Sequence, residues 1–353
     1  KGVYERAMQF YQEAVKRAKE GQYTREGIGV DYVLPHFGLG QMYLWREQYD
    51  NAIASFEEVI KSAPDDYDTL KVLGWLYAKQ GQTETGEWSE YTKKGVERLR
   101  RATAMRGDDP EVRLELAQLL QTDSGQAHTT EALEHYRAAM TVMRRRQQDI
   151  RPEVHSNVAV LYHRIGKFSR AEKSMIKALS VEEEGVDNAF PEFFKQEEGS
   201  ESATQGTAAT DNVVADLEPT MAVTANQVTA AYNLGLVYEA LSRWGRAQFL
   251  YRSILKAFPG YSDAWLRLAV LARDSSQIGV AKQYFAEAAK QSPKSVDAVV
   301  LAGAMHLKLE KLGDAQKVFE KVVQKMDDKD VYSHVALGNI YFTVAADAAK
   351  FKS

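Results

Sequence analysis

The residue types that most often carry out catalysis form no catalytic pattern in this sequence. The seven histidines do not have the spacing of a metal-binding motif, and there is no His-Glu-x-x-His run. There is no cysteine, which excludes disulfides, thiolate nucleophiles and cysteine-ligated zinc. The glycine fragments Gly27-Ile28-Gly29 and Gly38-Leu39-Gly40 follow no predicted strand, unlike phosphate-binding loops. We therefore predict no catalytic residue, no cofactor and no metal site, and we predict that the chain is not an enzyme.

What repeats in the sequence is a pattern of apolar and small residues. One copy holds Leu39, Gly40, Tyr43, Ala52, Phe56 and Pro64, and Leu73, Gly74 and Tyr77 open the next copy 34 residues later. Leu39 and Tyr43 share one face of a first helix, on which Gly40 lets a second helix approach closely. Pro64 ends that second helix, because proline cannot donate the next backbone hydrogen bond. A 34-residue repeat of two helices is the tetratricopeptide pattern.

The pattern recurs along most of the chain. It predicts an all-α, tetratricopeptide-repeat (TPR), right-handed superhelical solenoid with about six full and two partial repeats. Residues 1–180 hold a partial repeat and four repeats, and residues 228–353 hold three repeats and a partial last one. Since both ends fall inside a repeat, we expect the chain to be part of a longer array.

Residues 181–227 interrupt the pattern. From Glu182 to Gln227 there are 11 acidic residues and one lysine, with many Gly, Ser, Thr and Ala residues. This composition predicts an acidic, low-complexity insertion that is flexible. Its three phenylalanines, Phe190, Phe193 and Phe194, either pack locally or dock on this chain or a partner.

The overall composition limits the classes of partner. The chain has 353 residues and a net charge of −4, which gives no electrostatic reason to expect direct nucleic-acid binding. No apolar run approaches the ~18 residues that suggest a membrane span. Arg144 to Arg146 are interpreted as a solvated helix end, with contact to an acidic partner as the alternative. We therefore expect protein partners.

In such an array, the first helices of successive repeats line a concave surface. The side chains expected to face this groove are Phe37, Gln41, Trp45, Lys71, Trp75, Leu114, Gln118, Tyr232, Leu236, Leu266 and Arg273. An exposed surface rich in apolar and aromatic side chains typically binds other proteins. A clamp for a peptide C-terminal carboxylate needs convergent Lys, Asn and Arg residues, and only Asn233 and Arg267 fit that set.

Specific stretches resemble one family more closely than the general repeat does. VLPHFGLGQMY at 33–43, WLRLAVLARD at 265–274 and VALGNIYF at 335–342 resemble, in collinear order, the large TPR subunit of the RNA polymerase II-associated factor (PAF) complex. The insertions around 81–92 and 182–227 depart from the family, and the family's earlier repeats are not in this sequence.

The resemblance implies a nuclear, non-catalytic scaffold that supports transcription elongation and co-transcriptional histone modification. Its implied partners are the complex's namesake subunit, its parafibromin-type subunit, its WD-repeat subunit and RNA polymerase II. It implies no binding to a membrane. Two alternatives stay open. The chain is a generic peptide-binding adaptor or co-chaperone, or it is the TPR region of an enzyme whose catalytic domain lies outside this sequence.

Overall fold

The computed structural model describes residues 2–19, 33–81, 89–123, 125–179 and 221–350. Within these ranges all regular secondary structure is helical, and no strand occurs. Most of the predicted insertion at 181–227, including its three phenylalanines, lies outside the described residues, as does most of the insertion around 81–92. None of the helices in the described ranges is both long and apolar enough to cross a membrane.

The chain divides into two compact units, Lys1–Lys167 and Phe168–Ser353. Unit 1 contains α1 (Gly2–Lys19), α2 (Leu34–Trp45), α3 (Tyr49–Ser62), α4 (Tyr67–Gly81), α5 (Glu90–Met105), α6 (Pro110–Leu120), α7 (Gln126–Arg145) and α8 (Pro152–Arg164). Unit 2 contains α9 (Phe168–Ala178), α10 (Val228–Ala240), α11 (Trp244–Ala257), α12 (Ser262–Asp274), α13 (Ile278–Gln291), α14 (Val296–Lys308), α15 (Leu312–Lys325) and α16 (Val331–Lys350). The boundaries 1–180, 181–227 and 228–353 remain a prediction.

Each unit is built from packed helix pairs. In unit 1 the pairs are α2–α3, α4–α5 and α6–α7, and in unit 2 they are α10–α11, α12–α13 and α14–α15. The second helix of a pair also packs against the first helix of the next pair, as α3 does against α4 and α11 does against α12. The all-α repeat architecture expected from the 34-residue spacing is therefore confirmed.

Small residues on the first helices set the distance to the second helices. A Cβ atom added to Gly40 would lie 2.7 Å from the Phe56 ring, and one added to Gly235 would lie 2.6 Å from the Tyr251 ring. Both rings are fully buried. Glycine at positions 40 and 235 is therefore required by packing between the two helices of each pair.

Most first helices end in the same way. The second residue after the last helical residue is left-handed at Glu47, Gly166, Ser242, Ser276 and Glu310, with φ between 57° and 73°. The next amide closes a six-residue turn, such as Gln277 N to the Ala272 carbonyl at 2.8 Å. This is the Schellman arrangement, which satisfies the last helical carbonyls and turns the chain toward the second helix.

Candidate partner-binding clefts

The first helices of unit 1 border a cleft of about 900 Å³, here called the first cleft. It is lined by residues of α4 and α6, the end of α7 and the connections before α6 and after α7. These are Trp75, Arg106, Asp108, Asp109, Pro110, Glu111, Leu114, Glu115, Gln118, Met143, Arg146, Gln148, Asp149 and Arg151. Three predicted groove residues, Trp75, Leu114 and Gln118, thus come together here.

Asp109 organises the polar edge of the first cleft. It caps α6, because its Oδ1 accepts a hydrogen bond from Glu111 N at 2.8 Å, next to Pro110 in the first turn. Its Oδ2 accepts hydrogen bonds from the Tyr67 hydroxyl at 2.5 Å and from Lys71 Nζ at 3.3 Å. Burial alone would raise the pKa of Asp109, but these hydrogen bonds and the Lys71 charge lower it overall. Asp109 is therefore held as an anion.

The cations beside the first cleft are engaged with neighbours. The predicted groove residue Lys71 also donates to Glu111 Oε2 at 2.7 Å. The Arg106 guanidinium lies 4.1 Å from the centre of the Tyr67 ring. Arg146 pairs with Asp108 at 2.9 Å, so one member of the Arg144–Arg146 run contributes to the cleft although all three are exposed.

Glu115 is the unusual acidic group of the first cleft. Burial raises its pKa to about 7, even though the charge of Lys71 acts to lower it. Its Oε2 is buried without a hydrogen-bond partner. A carboxyl group in this state is costly to ionise unless a cation approaches it.

Trp75 provides the apolar wall of the first cleft. It is 40% exposed, and its ring packs edge-on against Tyr49 with 6.2 Å between the ring centres. Lys79 Nζ lies 5.1 Å from the centre of the Trp75 ring. Leu114 is buried beneath the cleft, and Gln118 is exposed. An exposed aromatic ring held by its neighbours is suited to bind an apolar side chain.

Unit 2 carries a smaller cleft of about 360 Å³, here called the second cleft. It is lined by Tyr232, Asp263, Leu266, Arg267, Val270, Asp297, Val300 and Leu301. Two predicted groove residues, Tyr232 and Leu266, therefore share it. Burial raises the pKa of Tyr232 to about 12, so its hydroxyl stays neutral at physiological pH.

A polar network fixes one wall of the second cleft. Arg267 Nε donates to Glu239 Oε1 at 2.9 Å, and the Tyr251 hydroxyl donates to the same oxygen at 2.6 Å. Glu239 is only 9% exposed. The Arg267 charge is thus neutralised within unit 2, and the floor of the cleft is aliphatic.

The other predicted groove residues do not line these clefts. On α2, Phe37 packs edge-on against Phe56 at 5.6 Å, Gln41 is exposed, and Trp45 stacks on Tyr4 at 4.5 Å. On α10 and α12, Leu236 is half-buried, and Arg273 pairs with Asp274 at 2.9 Å. In the described ranges, no group of three or more His, Cys, Asp or Glu residues could hold a metal ion.

Comparison with known proteins explains this architecture. The tetratricopeptide repeat family profile matches residues 37–87, 232–276 and 266–330. The CTR9 homolog of Arabidopsis thaliana is 29% identical over 345 residues, which cover 96% of this chain and 29% of that protein. The RNA polymerase-associated protein CTR9 of Caenorhabditis elegans is 30% identical over 350 residues, covering 96% of this chain and 28% of that protein.

The chain has a tetratricopeptide-repeat fold and is similar in sequence to CTR9 proteins. It spans less than a third of the length of either relative. Among solved structures, a tetratricopeptide repeat protein from Parabacteroides merdae aligns with a TM-score of 0.53 at 13% identity, covering 89% of this chain and all of that one. The C-terminal part of a TPR protein from Cytophaga hutchinsonii gives 0.52 at 12% identity, covering 85% of this chain and 99% of that one. These two structures support the fold alone.

The charged residues of the first cleft were not among the predicted groove residues. Groove positions were taken from the first helices of the TPR units, whereas Arg106, Arg146, Asp149 and Arg151 follow second helices. Because the turn after a second helix leads directly into the next first helix, such residues lie beside the groove. Charged residues in these connections are the signal that would have found them.

Proposed function

We propose that this chain is a non-catalytic protein–protein interaction scaffold of the polymerase-associated factor complex. The observation that carries the proposal is the similarity to two CTR9 proteins over 96% of the chain, one of which is named as RNA polymerase-associated. In this proposal the chain acts in the nucleus, where it supports RNA polymerase II elongation and co-transcriptional histone modification.

The proposed partners are the namesake, parafibromin-type and WD-repeat subunits of the complex, together with RNA polymerase II. Each compact unit has its own cleft, one with charged edges and an exposed tryptophan and one with an aliphatic floor. Surfaces of different chemistry favour different partner segments. A scaffold that holds two partners at once raises the effective concentration of each for the other.

We further propose the domain organisation that the sequence suggests. Residues 1–180 and 228–353 act as TPR arrays, and residues 181–227 act as a flexible acidic insertion between them. Deleting 182–227 is then expected to leave capture of the subunits unchanged or to increase it. Loss of every subunit on deletion would contradict the proposal that the arrays carry the partner sites.

To test whether the proposed groove binds partners, one aromatic residue is replaced in each of the two clefts. Trp75→Ala and Tyr232→Ala are expected to weaken binding of at least one subunit by about tenfold, because aromatic residues often dominate interface energies. The measurement is the Kd for each purified subunit, with circular dichroism to check folding.

Trp244→Ala is the matched control. Trp244 is 49% exposed, similar to Trp75, but it begins the second helix α11 and lines neither cleft. Its replacement is expected to leave every Kd unchanged. Equal affinities of Trp75→Ala, Tyr232→Ala and the unmodified chain for every subunit would remove the groove from the proposal.

A further inference from the structure

Two first helices carry opposite charges at the same repeat position. Glu115 precedes Leu116 and Ala117, as Arg267 precedes Leu268 and Ala269. Arg267 is paired with Glu239 within its own unit. Glu115 has no equivalent partner, and its buried Oε2 accepts no hydrogen bond among the described residues.

Three cations at or beside the first cleft are engaged with other groups. Lys71 is shared between Asp109 and Glu111, at 3.3 and 2.7 Å. Arg146 is paired with Asp108 at 2.9 Å, and Arg106 lies over the Tyr67 ring. The first cleft therefore contains a partly buried carboxyl group whose Oε2 is hydrogen-bonded to none of these cations and lacks a paired countercharge.

The surroundings of Glu115 restrict the kind of cation that could supply this countercharge. The described residues include no group of three or more acidic or histidine side chains able to hold a metal ion. The cleft, at about 900 Å³, has room for several side chains, and Trp75 and Leu114 line it together with Glu115. The site thus suits an organic cation joined to an apolar group, as in a polypeptide.

We propose that the first cleft binds an extended partner segment through an arginine or lysine side chain that pairs with Glu115, while an adjacent apolar side chain packs on Trp75. This inference rests on the proposed scaffold function and names the chemistry that one of its partners must carry. An arginine suits the site best, because its guanidinium donates to both oxygens of one carboxylate.

The pairing has a pH signature. Glu115 has a pKa raised to about 7 by burial, and a cation binds its ionised form. Affinity is therefore expected to rise by up to about tenfold between about pH 6 and about pH 8. The other charged groups that face the cleft are Lys71, Arg106, Asp108, Asp109, Glu111, Arg146, Asp149 and Arg151. The Glu115→Gln variant separates their contribution to the pH dependence from that of Glu115. Glutamine does not titrate, and its side chain has nearly the same shape as that of glutamate.

The experiment uses the full chain and short overlapping peptides that cover the three proposed partner subunits. Binding is measured by fluorescence anisotropy at about pH 6 and about pH 8. We expect the bound peptides to contain an arginine or lysine whose replacement by glutamine weakens binding about tenfold at the higher pH. Glu115→Gln should weaken the same peptides equally and abolish the pH dependence, and combining both changes should add little.

Glu134→Gln is the control, because Glu134 is exposed on α7 and lines neither the first nor the second cleft. It should bind like the unmodified chain. The inference is overturned if Glu115→Gln binds every peptide normally, if the bound peptides need no basic residue, or if intact subunits bind while no peptide does. Failure of the unmodified chain to bind any intact subunit would instead overturn the proposed scaffold function.

Discussion

Glu239 illustrates how a single buried charge depends on its neighbours. It is almost fully enclosed, and it accepts hydrogen bonds from Arg267 and Tyr251. Removing one partner of such a pair costs more than replacing both, because the remaining charge is left without compensation. Breaking this network is therefore expected to cost more stability than the intact network adds.

Glu239→Leu is accordingly expected to destabilise unit 2 by about 3 kcal/mol, since it leaves Arg267 and the Tyr251 hydroxyl unpaired. The double variant Glu239→Leu/Arg267→Met should recover most of that loss. Chemical denaturation of the three proteins is the measurement. A double variant as unstable as the single one would show that the pair itself is strongly favourable.

For Glu115 we expect the opposite effect, because replacing this acidic residue should stabilise the protein. Burial raises its pKa from 4.5 to about 7, so the folded state favours the protonated form. The stability from this group is complete below about pH 4.5 and is lost as the pH rises to about 7, a total on the order of 3 kcal/mol. Glu115→Gln should therefore gain stability relative to the unmodified chain between about pH 5 and about pH 8, as measured by chemical denaturation. A difference that does not change with pH would contradict the buried, unpaired state of Glu115.

At the scale of elements, the same glycine position has different surroundings in different helices. The Tyr251 ring closes over Gly235, whereas nothing lies within 4 Å of a Cβ atom added to Gly338 on α16. Alanine favours a helix over glycine by about 1 kcal/mol, while forcing atoms into a packed contact costs about 1–3 kcal/mol. The packing cost applies to Gly235 and not to Gly338.

Gly235→Ala should thus weaken the α10–α11 pair, and Gly338→Ala should stabilise α16 by up to about 1 kcal/mol. Hydrogen exchange of the amides in each helix reports the two effects separately. Equal protection changes in both variants would mean that helix propensity, not the contact with Tyr251, decides the outcome.

The helix pairs were predictable because the repeat determines both how the two helices pack and where the chain turns between them. Leu39, Gly40 and Phe56 recur at spacings that place them on facing helices, so the helix pairs follow from the sequence. The left-handed residues at Glu47, Ser242 and Glu310 were not anticipated, because glycine is the residue that usually marks this conformation. There the Schellman hydrogen bonds determine the turn in place of residue preference.

At the scale of the whole molecule, each unit has a cleft on its first helices, and the sequence predicted only part of each. Of the residues predicted to face a groove, Trp75 lines the first cleft and Tyr232 lines the second. Glu115 was not among the predicted groove residues, because its state depends on burial and on how Lys71 is shared between other carboxylates. Such competition between side chains from different elements cannot be read from spacing alone.

In the proposed function, this chain captures the subunits of the polymerase-associated factor complex through its first-helix clefts. Affinity capture from nuclear extract, quantified by mass spectrometry, compares the chain with the Trp75→Ala/Tyr232→Ala double variant. We predict that the chain recovers the subunits and that the folded double variant recovers about tenfold less of at least one. Recovery of chaperones alone, of no subunit, or of equal amounts with both proteins would contradict the claim.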